Sequence, residues 1–454
     1  MRASESQKSI VDGPKSRPII GFIPEMRKDP LRFLTEVALK FPRLAQFKIG
    51  GQKIFLVSDP EYVRHILLDN FKNYEKLFAY DKLYPIFGKG LLTSNGDFWK
   101  RQRKLTQPAF HRERLQGFAK AMSDRTEAML KRWESFASEK KCFELGDETR
   151  TITMDIVTKT MFGIDSSQAS KMVAEAIEII LAFTYDQVFS TFGPLKNLLP
   201  TQRNRKFKQA CTTMHNLIYS IIAERRKLNV DTGDLLSMYM QTADEETGEK
   251  MNDAQLKDEV MTIFFAGHET TAHTVSWVCS MLSKHPHVAR KVDDELKRVL
   301  NDRTPTLEDL SQLTYLKMVI EETMRVLPVS WVMTRTAVAD DTLGGHHIPA
   351  GATLFISEYV MHRLPQFWHN PEGFDPERFA PENKEKHQKF TYLPFGQGPR
   401  TCIGAGFAMM ETQIILAMML QKFHVDLVPG HPIELEPVMT LRPKNGVMVS
   451  LRKK

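Results

Sequence analysis

Apolar positions recur at three- and four-residue spacing along most of this chain, with short polar interruptions, which is the period of amphipathic helices. The pattern predicts helices over 98–114, 115–140, 149–162, 170–192 and 203–228, after a helix-like segment over 30–40. The longest run opens at Asn252 or Asp253, both good capping residues, and reaches Lys284-His285 before Pro286 stops it. At the helical rise it is about 45–50 Å long, enough to cross a domain. Further helices follow over 288–300, 311–326 (ended by Pro328) and 404–423. Strand-like segments around Gly50-Gly51-Gln52, Ala45 to Ile49 and Lys53 to Val57, predict a β-hairpin, and short strands are expected around His347 to Val360. The fold class that follows is mainly α, with a small and mostly N-terminal β portion and one long central helix.

The stretch 71–95 lacks the helical period and carries Phe78, Tyr80, Tyr84, Ile86 and Phe87. Its length points to a functional loop, and its aromatic content argues against disorder. Residues 1–29 form a polar tail and lead-in punctuated by Pro14, Pro18 and Pro24. The 454 residues would suit two or three domains by length alone, yet no Gly/Ser linker, repeat or low-complexity tract marks a joint. One domain over 30–454 is the expectation.

Charge narrows the partners. Lys+Arg number 62 against 55 Asp+Glu, a net +7 spread over the chain, and only Lys100 to Lys104 and Arg203 to Lys206 form basic runs. That is no nucleic-acid stripe. The four cysteines, Cys142, Cys211, Cys279 and Cys402, form no C-x-x-C pair, so neither a zinc ribbon nor a disulfide framework is expected and a reducing compartment fits. Residues 1–15 lack the apolar core of a signal peptide, and no window holds the ~20 apolar residues of a membrane span. A soluble cytoplasmic protein is expected.

Four constellations carry candidate chemistry. In Phe395-Gly396-Gln397-Gly398-Pro399-Arg400-Thr401-Cys402-Ile403-Gly404 a lone cysteine sits in a glycine-rich loop ahead of a helix, where a thiolate is favoured and a haem iron would find a ligand. The long helix holds Ala266-Gly267-His268-Glu269-Thr270-Thr271-Ala272-His273. A zinc helix needs histidines four apart; His268 and His273 are five apart, so their rings diverge by about 140°. The other reading is a distorted helix facing a reactive centre, with Gly267 admitting a planar ligand, Thr270 bonding a distal oxygen or breaking the ladder, and Glu269 relaying protons. Glu322 and Arg325 share a helix face, and Arg378 in Pro376-Glu377-Arg378-Phe379 is placed to add a second guanidinium to that carboxylate and fix the cysteine loop. Trp99 and Arg103, four apart, offer an indole N–H and a guanidinium to one carboxylate, such as a haem propionate.

In this order the motifs resemble those of the cytochrome P-450 family of haem-thiolate monooxygenases, over about Pro30 to Leu451. The resemblance implies haem b (iron protoporphyrin IX), Cys402 as axial iron ligand, Phe395 packed beside the sulfur, and Trp99, Arg103, Arg335 and Arg400 as propionate partners. It implies that Glu269 and Thr270 deliver protons, that Glu322, Arg325 and Arg378 are a structural triad, and that Ile86, Phe87, Phe183 (with 184–192), Ala266, Val329, Val332 and Met439 line an apolar substrate pocket. The implied reaction hydroxylates a hydrophobic fatty acid, terpenoid or steroid with O2. Electrons would come from a separate ferredoxin or flavodoxin with its NAD(P)H reductase, docking at Lys100, Arg101 and Lys104, because the chain ends about fifty residues beyond Cys402. A monomer of bacterial type is expected. The fatty-acid branch often anchors its substrate with an arginine in the first hairpin, where this chain has Lys53. A peroxide-using or rearranging haem enzyme and a non-catalytic haem sensor are the alternatives.

Overall fold

Asn252 starts the longest helix, Asp253–Lys284: its side chain accepts from the Gln255 N–H at 3.0 Å while Gln255 accepts from the Asn252 N–H at 2.9 Å. This reciprocal cap satisfies two N–H groups that a helix start leaves open. Pro286 ends that helix and opens the next, Pro286–Leu300, because proline is tolerated where no N–H is needed. The computed structural model describes residues 11–454 except 78–79, 81–82, 164–166, 190–200, 229–231 and 244–247, so Phe78 and Phe192 lie outside the described residues.

The chain divides into two compact units. The smaller comprises the residues up to Asp81, Ser330–Gly373 and Lys384–Cys402. Its sheet contains strands β1 (Leu44–Ile49), β2 (Gln52–Val57), β3 (Tyr74–Glu75), β4 (Met333–Ala337) and β5 (Thr353–Ile356), in the order β1-β2-β5-β4-β3. The β1/β2 hairpin pairs Ile49 with Gln52 and turns at Gly50, whose φ of +59° suits glycine. β2 and β5 are parallel, with Ile54 opposite Thr353, and β5 and β4 are antiparallel, with Arg335 opposite Leu354.

The larger unit comprises Lys82–Val329, Phe374–Asn383 and Ile403–Lys454, and its helices pack around Asp253–Lys284. Trp277 of that helix joins Met281, Val326, Leu327 and Val329 in a buried cluster covered by Phe374, Ile433 and Leu435. The indole N–H of Trp277 donates to the Leu441 carbonyl at 3.1 Å, so the ring is buried without an unmet donor. Phe264 stacks on Phe162 at 4.2 Å. Each such side chain contributes about 1.5–3 kcal/mol by leaving water.

Three expectations change. The β structure is not mostly N-terminal: Phe143–Glu144, Met448–Lys453 and Phe423–Leu427 form a sheet in the larger unit, from strands too short or too far apart in sequence to show a period. The helix expected over 98–114 ends at Thr106 and passes through the 3-10 turn Gln107–Phe110 before Arg112–Ser138, because Pro108 cannot continue the α ladder. The stretch 71–95 is not without structure: it contains β3 and the helical turn Tyr84–Phe87, each shorter than the window that reveals periodicity.

Candidate haem site

The cysteine loop belongs to the smaller unit. Gly396 and Gly398 have φ of +66° and +76°, and a Cβ on Gly398 would lie 1.9 Å from the Leu67 carbonyl oxygen. Only glycine fits there. Beyond the 3-10 turn Gly398–Arg400, the Cys402 N–H donates to the Phe395 carbonyl at 2.9 Å, closing the loop on itself with the thiol exposed. Arg335 on β4 is buried, and its Nη1 donates to the Thr334 carbonyl at 2.8 Å. Burial pulls the guanidinium below its ordinary pKa while Tyr80 and Glu358 oppose that shift. Tyr80 in turn feels both Arg335 and Arg400, although burial dominates and raises its phenol. Arg335, Arg400, Tyr80 and Glu358 thus share one neighbourhood, in which burial pushes Glu358 up to about 8. The sequence marked Tyr80 only as an aromatic loop residue; it held no signal for Glu358.

In the larger unit, Asp253–Lys284 remains α-helical through the polar patch. Thr270 does not break the ladder; its hydroxyl donates to the Ala266 carbonyl at 2.8 Å, and Thr271 and Thr274 bond back one turn in the same way. A hydroxyl satisfied on its own helix leaves the main-chain bonds intact. Gly267 gives close helix packing: a Cβ there would stand 3.2 Å from Val157 Cγ2. Ala266 is exposed and Thr270 half-buried one turn later. Glu269 is buried, with Oε1 3.5 Å from His273 Nε2. Desolvation raises its carboxyl, but His273, with smaller help from His268 and Arg442, holds it below the ordinary range. His268 is buried and pushed down to about 4, mainly by desolvation.

Trp99 is buried on the helix Gly96–Thr106, with Arg103 half-buried one turn on; Lys100 and Lys104 are exposed and Arg101 pairs with Glu249 at 3.0 Å. Two acids of the long helix, which the sequence reading passed over, hold the loop ahead of this helix. Asp258 accepts from the Lys89 N–H at 2.8 Å and Glu259 from the Leu91 N–H at 3.0 Å, and burial pushes Glu259 up to about 8. Consecutive acids in an apolar run were the available signal.

Glu322 and Arg325 are fully buried and bidentate, at 2.7 and 2.8 Å. Arg378 Nε lies 3.4 Å from Glu322 Oε1, which also accepts from the Asp375 N–H at 2.9 Å. The structure brings all three residues together. Among the pocket residues, Ile86 and Phe87 are buried on a helical turn, with Phe87 edge-on to Phe265 at 4.6 Å. Phe183 stacks on Phe207 at 3.8 Å, Val329 joins the Trp277 cluster, and Val332 and Met439 are half-buried.

The donor set of the smaller unit, an exposed soft thiol together with Arg335 and Arg400, suits an anionic macrocycle with a metal centre. The larger unit, taken by itself, presents Trp99, Arg103 and a small exposed residue, Ala266, on a helix otherwise largely buried.

The family described as Cytochrome P450 matches residues 11–451. Cyclooctat-9-en-7-ol 5-monooxygenase of Streptomyces melanosporofaciens is 32% identical over 92% of this chain and 90% of its own length. Cytochrome P450 4V2 of Mus musculus is 30% identical over 100% of this chain and 91% of its own. Among solved structures, the cytochrome P450DA heme domain superimposes with a TM-score of 0.89 at 26% identity, covering 98% of both chains. The chain therefore belongs to the cytochrome P450 family of monooxygenases, and its cofactor is haem.

Proposed function

We propose that this protein hydroxylates a hydrophobic small molecule of the terpenoid class, converting RH, O2, two electrons and two protons into ROH and water, and that Cys402 is the residue that would hold the haem iron. The observation that carries this reading is Cys402 itself: an exposed thiol on a loop whose glycines fit nothing larger, in the stretch of chain that the family matches. Haem, when bound, supplies the activation of O2.

The chain's own residues do the rest. Arg335 and Arg400, with Trp99 and Arg103, offer N–H donors to the propionates. Phe395 packs beside the sulfur, and Ala266 leaves room for substrate. Glu269, beside Thr270, takes up a proton and releases it toward the reacting oxygen. Ile86, Phe87, Phe183, Val332 and Met439 supply apolar surface that excludes water and positions the substrate, with Val329 backing them.

Terpenoids stand ahead of fatty acids and steroids. The Streptomyces relative is named for a cyclooctat-9-en-7-ol, and the first hairpin has the exposed Lys53 where an arginine would anchor a fatty acid. Electrons come from a separate acidic ferredoxin or flavodoxin with its NAD(P)H reductase, which the exposed Lys100 and Lys104 complement in charge. No helix among the described residues is long and apolar enough to cross a membrane.

The test is the reduced, carbon monoxide-bound absorption spectrum. The wild type is expected to show the thiolate-type Soret band and Cys402→Ser to lose it; absence in the wild type, or survival in the variant, overturns the assignment. Titration with cyclic terpenoids, read as a substrate-induced spin shift, then tests the substrate class against fatty acids.

A further inference from the structure

His273 is left without a task by the reading above. It lies one turn beyond Glu269 on the long helix, buried, and its Nε2 has no hydrogen-bond partner of normal geometry among the described residues, although Glu269 Oε1 stands 3.5 Å away. The same imidazole lines a cavity of about 310 Å³ within the larger unit. Asp147, Arg150, Ser276, Arg442, Lys444 and Asn445 form much of the wall, and Lys444 and Asn445 are exposed at its rim. One buried side chain thus touches both a polar cavity and the acid beside Thr270.

We propose that this cavity is the solvent end of the proton route and that His273 carries protons from its water to Glu269. The inference rests on the reading of Glu269 as the proton-delivering acid. The wall argues against an anion site, because its cations are already met: Arg150 pairs with Asp147, Arg442 with Glu436 at 2.7 Å and Lys444 with Glu434 at 2.9 Å. What remains is a polar space with room for several waters.

A relay needs a group that accepts at one atom and releases at another. Imidazole does this through its two ring nitrogens; arginine and lysine have no acceptor. One ring nitrogen of His273 takes a proton from cavity water while the other gives its proton to the Glu269 carboxylate. Glu269 passes that proton onward, and the hydroxide left in the cavity is neutralised by bulk solvent. The charged groups around this pair and its cavity are His268 on the same helix, Asp147 and Arg150 from the helix Leu145–Phe162 with Glu144 just ahead of it, and Arg442 from the strand Leu441–Pro443 with Lys444 just beyond it. His268 does not compete as a relay near neutral pH, since burial holds it uncharged down to about 4.

The experiment uses the full-length haem-loaded enzyme with a surrogate redox chain. His273→Gln should keep the wild-type carbon monoxide spectrum and substrate spin shift. Its product yield per NAD(P)H should fall about tenfold, with the missing electrons recovered as hydrogen peroxide. In ferric protein labelled with 13C-glutamate, the infrared carboxyl band of Glu269, assigned by its loss in Glu269→Gln, should titrate at higher pH in His273→Gln than in wild type, because a favourable neighbour is gone. Asn445→Trp, a change on the exposed rim that touches neither relay residue, should close the entrance and give the same diversion to peroxide at two- to threefold. Wild-type coupling in Asn445→Trp, or in a folded His273→Gln with an unmoved Glu269 titration, overturns the proposal while leaving the monooxygenase reading intact. A wild type without the thiolate band removes that reading itself.

Discussion

Glu322 and Glu269 are both buried carboxylates on helices of the larger unit, surrounded in opposite ways. Glu322 is inaccessible to solvent and receives Arg325 through two hydrogen bonds, the Asp375 N–H through a third, and Arg378 at 3.4 Å. Glu269 has the His273 imidazole at 3.5 Å and smaller pulls from His268 and Arg442. A carboxylate whose lone pairs are filled by fixed donors serves architecture. One that faces imidazoles in place of paired guanidiniums has its charge less completely met. Burial is common to both; what separates them is how completely the charge is met.

The largest effect should come from breaking the saturated site. Arg325→Ala leaves the Glu322 charge buried and half-met, which should cost about 3–5 kcal/mol in urea denaturation and lower haem retention. A variant of wild-type stability with lost turnover would assign Glu322 to chemistry instead.

Glu269→Gln should do the reverse. Turnover is expected to fall by about two orders of magnitude, with the unfolding midpoint within a few degrees of wild type. A large stability loss with normal coupling would place Glu269 in the same class as Glu322.

The smallest effect concerns His268, beside Glu269. Its folded pKa of about 4 lies below the value near 6.5 of an unfolded imidazole, so between the two the unfolded chain binds the proton more readily. Stability is therefore fully present above the unfolded value and is lost as pH falls toward 4. His268→Gln should remove about 1–2 kcal/mol of that loss, seen as a smaller drop in urea midpoint from pH 7.5 to pH 4.5. Equal drops in both proteins would show that His268 is not the group responsible.

Local rules account for what could be read in advance. The capping potential of Asn252, the proline at 286 and the glycines at 50 and 51 act through bonds a few residues apart, and they set the long helix and the first hairpin. Glu322 and Arg325 were legible because i,i+3 neighbours on a helix meet whatever surrounds them. Phe143–Glu144 was not legible: a two-residue strand has no period, and its partners, Met448 and Val449, are some three hundred residues away. Nor was the geometry of the Thr270 hydroxyl, expected to bond a distal oxygen or break the ladder; in the folded chain it bonds back to the Ala266 carbonyl and the ladder is intact.

The linear order of residues was sufficient for the helical class, for a glycine-rich loop at Cys402 and for placing Glu269 and Thr270 on the long helix, because each depends on identity and short spacing. Only the folded chain decided how completely each buried acid is met. That depends on Asp375, Arg442 and the cavity wall reaching Glu322 or His273 from distant segments, and through-space desolvation and charge have no signature in sequence distance. The loop of Cys402 is legible along the chain, while the surroundings of Glu269 and His273 exist only after folding.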